Sequence, residues 1–309
     1  MEAFLWIAAV LLCLYVVFVF APAVVFFETV FRRAKKSGEV LLDTENPYYT
    51  PYAERFAQAT AVLRGLPRRT ISFEASDHTP LRALFYDAGS DKTAVFLHGY
   101  NAPPLNNFAP QAALLYREGF NLAFVFQRAH GGSGGRTTMG CLEQRDLLDF
   151  LPVLTHNTAT KEVLLYGMSM GCTATAYASD RLDPDLVKAM ILDCGYTSPY
   201  AALTREMRRH HVPVFLLAPW VTFFARVILG ISIKKTVTDS LKRTRVPALF
   251  LHGGADQTVP AAQGRENFEA CASPKEWYTH PEALHTTCYL SGGEEAQRRL
   301  LTFVRTYFS

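Results

Sequence analysis

Beyond residue 60 the chain alternates between two hydrophobic rhythms. Short apolar runs bounded by turn residues recur at Ile71–Ala75, Leu81–Tyr86, Thr93–Leu97, Leu122–Phe126, Val163–Tyr166, Val187–Leu192, Ala248–Leu251 and Glu276–Thr279. Runs of this length, punctuated in this way, predict strands. Segments with helical spacing lie between them at Pro104–Glu118, Gly140–Thr155 and Met170–Arg181. Strands alternating with such helices predict a mostly parallel sheet with helices on both faces, and near-continuously apolar strands suit a sheet buried on both sides. A turn at Asp77–Pro80 predicts that the first two strands pair with each other. The fold class is α/β.

The front of the chain follows neither rhythm. Ala3 to Phe27 reads AFLWIAAVLLCLYVVFVFAPAVVFF, without a charge. At 1.5 Å per residue such a helix would cross a hydrocarbon core of about 30 Å. A cleaved signal peptide, with Ala21-Pro22-Ala23 as its processing site, is the rival reading. It needs a positive amino-terminal region, whereas the chain opens Met1-Glu2 and stays apolar past the site. Residues 1–28 are therefore expected to be a transmembrane anchor. Arg32, Arg33, Lys35 and Lys36 follow it, and positive charge on that flank predicts a single-pass membrane protein with its soluble part in the cytoplasm. Residues 29–60 mix proline, charge and tyrosine and are expected to be a linker, leaving 61–309 as the folded domain.

Composition narrows the function classes. Of 309 residues, 49% are hydrophobic and 19% charged, which describes a globular chain with an apolar excess. A net charge of +3 and the lack of a basic stripe interleaved with aromatics give no reason to expect nucleic acid. The cysteines have neither framework nor zinc-site spacing. No metal or organic cofactor is expected, because no H-E-x-x-H, dinucleotide fingerprint or P-loop occurs.

In a parallel sheet ligands gather beyond the carboxyl ends of the strands. After Thr93–Leu97 comes His98-Gly99-Tyr100, and after Leu122–Phe126 comes a glycine-rich loop from Gln127 to Gly135. Gly167-Met168-Ser169-Met170-Gly171 follows Val163–Tyr166, Asp193 follows Val187–Leu192, and His252-Gly253-Gly254-Ala255-Asp256 follows Ala248–Leu251. His285 lies past the last strand. A serine, an acid and a histidine thus appear in that order, each just beyond a strand. Asp193 competes with Asp256 for the acid, and His280 with His285 for the base, although Pro281 restricts the backbone of His280.

With "FLHGY", "RAHGGSGG", "GMSMG", "LFLHGGADQTVP" and "ALHTT" on the page, the chain resembles the α/β-hydrolase superfamily from about residue 61 to the end. The likeness is to its lysophospholipase-like and serine-peptidase-like branches, some members of which carry a short membrane anchor. The resemblance implies an eight-stranded sheet with a helical insertion, and it makes Ser169 the nucleophile, Asp256 the acid and His285 the base. Gln127 departs from the acidic or aromatic residue usual before the arginine of its loop, which concerns loop packing. A serine hydroxyl needs a base, histidine titrates near neutrality, and an aspartate on the other ring nitrogen fixes the tautomer. The backbone N–H groups of Met170, at the start of a helix, and of Tyr100 are the expected oxyanion donors.

Residues 195 to 246 are far longer than one crossover helix requires. Their centre, Val212 to Gly230, is almost uncharged and interrupted by Pro213, Pro219 and Arg226. A lid over about 197–245 is expected, with Trp220 and Phe224 meeting an acyl chain and basic residues at Arg205, Arg208, Arg209, Lys234 and Lys235 meeting headgroups; a helix pair buried against the body is the plainer reading. The expected activity is hydrolysis of a small-molecule acyl ester, lipids and thioesters included. A peptidase or aminopeptidase of the same fold, and a membrane-tethered binding protein without turnover, are the alternatives.

Overall fold

The computed structural model describes residues 1–32 and 48–308. Arg33, Lys35 and Lys36, with residues 33–47 of the expected linker, lie outside the described residues. Each of the eight expected strands is present: β1 Arg68–Glu74, β2 Pro80–Tyr86, β3 Lys92–Leu97, β4 Asn121–Phe126, β5 Glu162–Met168, β6 Val187–Asp193, β7 Ala248–Gly253 and β8 Lys275–His280. They form one sheet in the order β1-β2-β4-β3-β5-β6-β7-β8. The β1–β2 and β2–β4 pairs are antiparallel and the others parallel. Strand β1 begins three residues before the apolar run does, because its first residues are exposed at the sheet edge and leave no hydrophobic trace.

Twelve α-helices are present among the described residues, and all but the first pack on the domain. They are α1 Glu2–Tyr15, α2 Ala21–Val30, α3 Ala53–Arg64, α4 Pro104–Arg117, α5 Glu143–Asn157, α6 Met170–Ala178, α7 Pro199–Arg209, α8 Val214–Ile228, α9 Thr238–Leu241, α10 Ala261–Ala270, α11 Cys288–Ser291 and α12 Gly293–Tyr307. The segment expected to be helical from Gly140 starts instead at Glu143. Gly140 is left-handed at φ 93°, and the Glu143 carboxylate accepts from the amides of Thr138 and Gly140, which folds the preceding residues into a loop.

Successive strand residues fall on opposite sides of the sheet. Val95, Leu97, Val163 and Leu165 join one core with residues of α5, α6, α7 and α8. Ala94, Phe96, Leu164 and Tyr166 join the other, with α3, α4 and α12. Both faces are covered, which is why these strands read as unbroken apolar runs.

The amino-terminal helix runs from Glu2 to Val30 through a wide turn at Val16–Phe20 that joins α1 to α2. It is long and apolar enough to cross a membrane. Its two ends differ. No residue of α1 is buried, whereas Ala23, Phe27 and Phe31 are fully enclosed in the first core. Helix α8 packs against this docked end, with Phe224 against Phe20 and Phe27.

Candidate active site

Strand β3 is where the strand order reverses, since the chain leaves it toward β4 on one side and β5 lies on the other. A crevice opens at such a point, beyond the carboxyl ends. Leu97 at the end of β3 lies beside Gly167 of β5, and Met168 beside Asp193 of β6, so the loops after these strands converge.

Ser169 sits at the turn from β5 into α6 with φ 54° and ψ −112°. That backbone costs about 1–3 kcal/mol for a residue with a side chain, and the surroundings must hold it. The Ser169 amide donates to the Asp193 carbonyl at 2.8 Å, and the Ser169 carbonyl accepts from Thr173 at 3.0 Å. Gly171 lets α6 press on β3: a Cβ there would lie 2.0 Å from the Leu97 carbonyl oxygen. The glycine after the serine is thus demanded by packing.

His285 joins the other two candidates. Its Nε2 lies 3.0 Å from Ser169 Oγ, and its Nδ1–H donates to Asp256 Oδ2 at 2.7 Å. Asp256 Oδ1 accepts from the amides of Thr258 and Val259 at 2.9 and 2.8 Å. Burial pushes the Asp256 carboxyl up, but hydrogen bonds from His252 and His285 and the charge of His285 outweigh it and hold it at about 2. The carboxylate is therefore charged at neutral pH and fixes the His285 tautomer with Nε2 facing the serine. Gly253 permits the approach, since a Cβ there would meet the Ala283 carbonyl oxygen at 2.3 Å in the segment that carries His285. The arrangement can move a proton from Ser169 to His285 and stabilise the resulting imidazolium.

Asp193 takes no such part. It is fully buried, accepts from the Tyr166 hydroxyl at 3.3 Å, and burial raises its carboxyl to about 7. His280 ends β8, and its Nδ1 has no partner among the described residues. Donor atoms of Cys194, Asp256 and His285 lie within 4.8 Å of one another. Burial holds the Cys194 thiol well above its ordinary value, and both His285 nitrogens are engaged, so the set suits proton transfer better than a metal ion.

Ser169 and His285 open into a cavity of about 640 Å³, also lined by Gly99 and Tyr100 of the loop after β3. Volumes of this size hold small organic ligands. Met170, the other expected oxyanion donor, is the first residue of α6, with its side chain fully buried.

A family model described as the alpha/beta hydrolase fold matches residues 93–217. The chain is 26% identical over 220 residues to the protein YqkD of Bacillus subtilis, covering 69% of this chain and 70% of that one. It is also 26% identical over 212 residues to bem46 of Schizosaccharomyces pombe, covering 66% and 64%. An esterase of Pyrococcus furiosus superposes with a TM-score of 0.66 at 23% identity, over 79% of this chain and 92% of that one. An acylaminoacyl peptidase of Pyrococcus horikoshii gives 0.56 at 17% identity, over 80% and 43%. The chain is an α/β-hydrolase-fold protein.

Within this α/β-hydrolase fold, the remaining expected residues find plain roles. Arg128 braces its loop through Asp146, with Nε to Oδ2 at 2.7 Å and Nη2 to Oδ1 at 2.5 Å. His98 Nδ1–H donates to the Gly99 carbonyl while Nε2 accepts from the Gln127 amide. Burial, then the neighbouring His130, lowers its pKa to about 3, so it stays neutral. Trp220 and Phe224 do not reach the cavity. They turn to the amino-terminal helix, where Trp220 Nε1–H donates to the Tyr15 hydroxyl at 2.6 Å and both rings pack on Phe20. The wall contributed by the expected lid comes instead from α7, through Ala202, Leu203, Glu206 and Arg209.

Sequence reasoning missed a polar chain behind the site. Asn107 Oδ1 accepts from the Gly99 amide at 2.8 Å, and its Nδ2 donates to the Tyr49 hydroxyl at 3.1 Å. Tyr49 bonds Thr286 Oγ1 at 2.7 Å, and Thr286 donates to the His285 carbonyl. The chain ties the loop after β3 to the backbone of the histidine. Asn107 at the start of a helix directly after "HGY" was the one available signal.

Proposed function

We propose that the chain is a membrane-anchored serine hydrolase that cleaves an acyl ester, lipid-like esters and thioesters included, through an acyl-enzyme. The observation that carries this is His285 hydrogen-bonded to Ser169 on one nitrogen and Asp256 on the other, at the wall of a cavity of about 640 Å³. In the first half-reaction Ser169 Oγ forms a bond to the acyl carbon while His285 Nε2 takes its proton. The carbonyl oxygen becomes an oxyanion received by the Tyr100 and Met170 amides, and Asp256 stabilises the imidazolium. Collapse breaks the bond to the leaving alkoxide or thiolate, which takes the proton from His285. A water then repeats the sequence on the acyl-enzyme, releasing the acid and restoring Ser169.

Ester cleavage is preferred to peptidase activity because of Glu206. It is the one carboxylate side chain among the described residues lining the cavity, and it already contacts Arg209 at 3.7 Å and His210 at 2.8 Å. No free acid is left there to hold a peptide amino terminus. The buried residues Ala23, Phe27 and Phe31 support retention of the amino-terminal helix as an anchor, since the folded domain packs around its end.

A fluorophosphonate probe tests the reading. It should label the wild type and not Ser169→Ala, and p-nitrophenyl butyrate should be turned over only by the former. No labelling of the wild type would leave a tethered binding protein as the better description.

A further inference from the structure

The amino-terminal helix does more than tether. Phe26, Thr29 and Val30 of α2 line the same cavity as Ser169 and His285. The Tyr100 hydroxyl donates to the carbonyls of Thr29 and Val30 at 3.3 and 3.0 Å, so the residue proposed as an oxyanion donor is fastened through its side chain to the end of that helix. Glu28 is also paired with Arg136. The same cavity is lined from α7 by Ala202 and Leu203, followed by the charged Glu206 and Arg209 and by His210 just past the helix end. The cavity is thus apolar where it borders α2 and the first turns of α7, and charged further along α7.

We propose that α2 is one wall of the acyl-binding subsite, with Phe26 and Val30 facing Ala202 and Leu203 across the chain of a long-chain acyl ester. This rests on the serine-hydrolase reading of the same site and adds its substrate class. The physical ground is continuity. The helix that leaves the bilayer carries an apolar surface without a charge from Ala3 to Phe27, and its last turn already lines the cavity. A membrane-resident amphiphile can keep its acyl chain against apolar side chains throughout its transfer, so little hydrophobic area need be exposed to water on the way to Ser169. A soluble substrate with a short acyl group gains nothing from this wall.

The test uses full-length protein in phosphatidylcholine vesicles, with p-nitrophenyl acetate and p-nitrophenyl dodecanoate as substrates. The readout is the ratio of their kcat/KM values. Val30→Trp, which fills the subsite, should lower the dodecanoate-to-acetate ratio by at least about tenfold, as expected when an apolar pocket no longer accepts its chain. Val25→Trp, on the same helix but with Val25 65% exposed and outside the cavity lining, should leave the ratio unchanged. Should Val30→Trp fail to fold, Val30→Ala enlarges the same wall and should move the preferred acyl length upward. A ratio within about twofold of wild type for Val30→Trp, or an unmoved preference for Val30→Ala, overturns the proposal. Ser169→Ala keeps the two readings apart: loss of both activities in that variant, with an unaltered ratio in the Val30 variants, would sink the acyl wall and leave the serine hydrolase standing.

Discussion

The Nδ1–H of His285 donates to Asp256 Oδ2 at 2.7 Å, and the partner oxygen of that carboxylate is held by two backbone amides. Asp193, at the end of the neighbouring strand, is equally buried but spends its hydrogen bond on Tyr166. Asp256→Asn should therefore lower kcat on p-nitrophenyl butyrate by on the order of 10³- to 10⁴-fold, because the wrong His285 tautomer would face the serine. Asp193→Asn should cost less than about tenfold. If Asp193→Asn proves the more damaging, the acid has been misassigned.

The same pair sets a pH dependence of stability. Burial raises Asp193 from 3.8 to about 7, so between these values the folded chain binds a proton that the unfolded chain has released. Its contribution is full below about pH 4 and lost as pH rises through about 7. Roughly three pH units at about 1.4 kcal/mol each set a limit on the order of 4 kcal/mol. Asp256 has the opposite sign, but its contribution is already complete above about pH 4 and adds no slope in this window. Asp146, raised to about 6, adds slope of the same sign and His98, lowered to about 3, slope of the opposite sign. The reading is therefore the difference: in urea unfolding from pH 4 to 7 the wild type should lose stability relative to Asp193→Asn. Parallel profiles would contradict the assignment.

Gly171→Ala would place a Cβ 2.0 Å from the Leu97 carbonyl oxygen, on two elements that cannot both yield. The expected loss is at least about 3 kcal/mol, read as a lowered midpoint in thermal or urea unfolding. A soluble, fully active Gly171→Ala protein would mean that α6 does not lie against β3 as described.

Strand positions and the candidates Ser169, Asp193, Asp256, His280 and His285 are readable because each depends on local sequence, while the choice of Asp256 and His285 among them rests on the resemblance. Apolar runs mark buried strands, and Ser169, Asp256 and His285 lie just past strand ends, where the topology converges. Residues whose placement depends on distant partners were not readable. Tyr49 reaches Thr286 across 237 positions, and nothing in "NPYYTPY" announces it. The apolar character of α8 was plain, and so was the oddity of so long an insertion. What Trp220 and Phe224 pack against was not, because the apolar partner is a helix some 200 residues earlier that reads as a separate membrane segment. Periodicity identifies a face that must be buried and says nothing about which surface buries it.

The last prediction concerns the membrane. A hydrocarbon core of about 30 Å needs about twenty helical residues, whereas the helix runs on from Glu2 to Val30. The surplus is the docked end, in which Ala23, Phe27 and Phe31 are enclosed by the domain. On the proposed anchoring, about twenty residues from Glu2 carry the span past Tyr15 and Phe20, which already meet Trp220 and Phe224. The expected arrangement is a domain seated directly on the bilayer with the exposed Phe215, Phe223, Val227 and Ile228 of α8 beside it. Arg32 follows the helix at once, with Arg33, Lys35 and Lys36 behind it in the sequence, and positive charge on this flank favours the cytoplasmic side. Protease added to intact cells should leave the domain uncut, permeabilised cells should lose it, and alkaline carbonate should not extract it from membranes. Digestion in intact cells would reverse the orientation. A mature protein starting at Val24 would replace the anchor with a signal peptide, leaving Phe26, Phe27 and Val30 on a cut helix end.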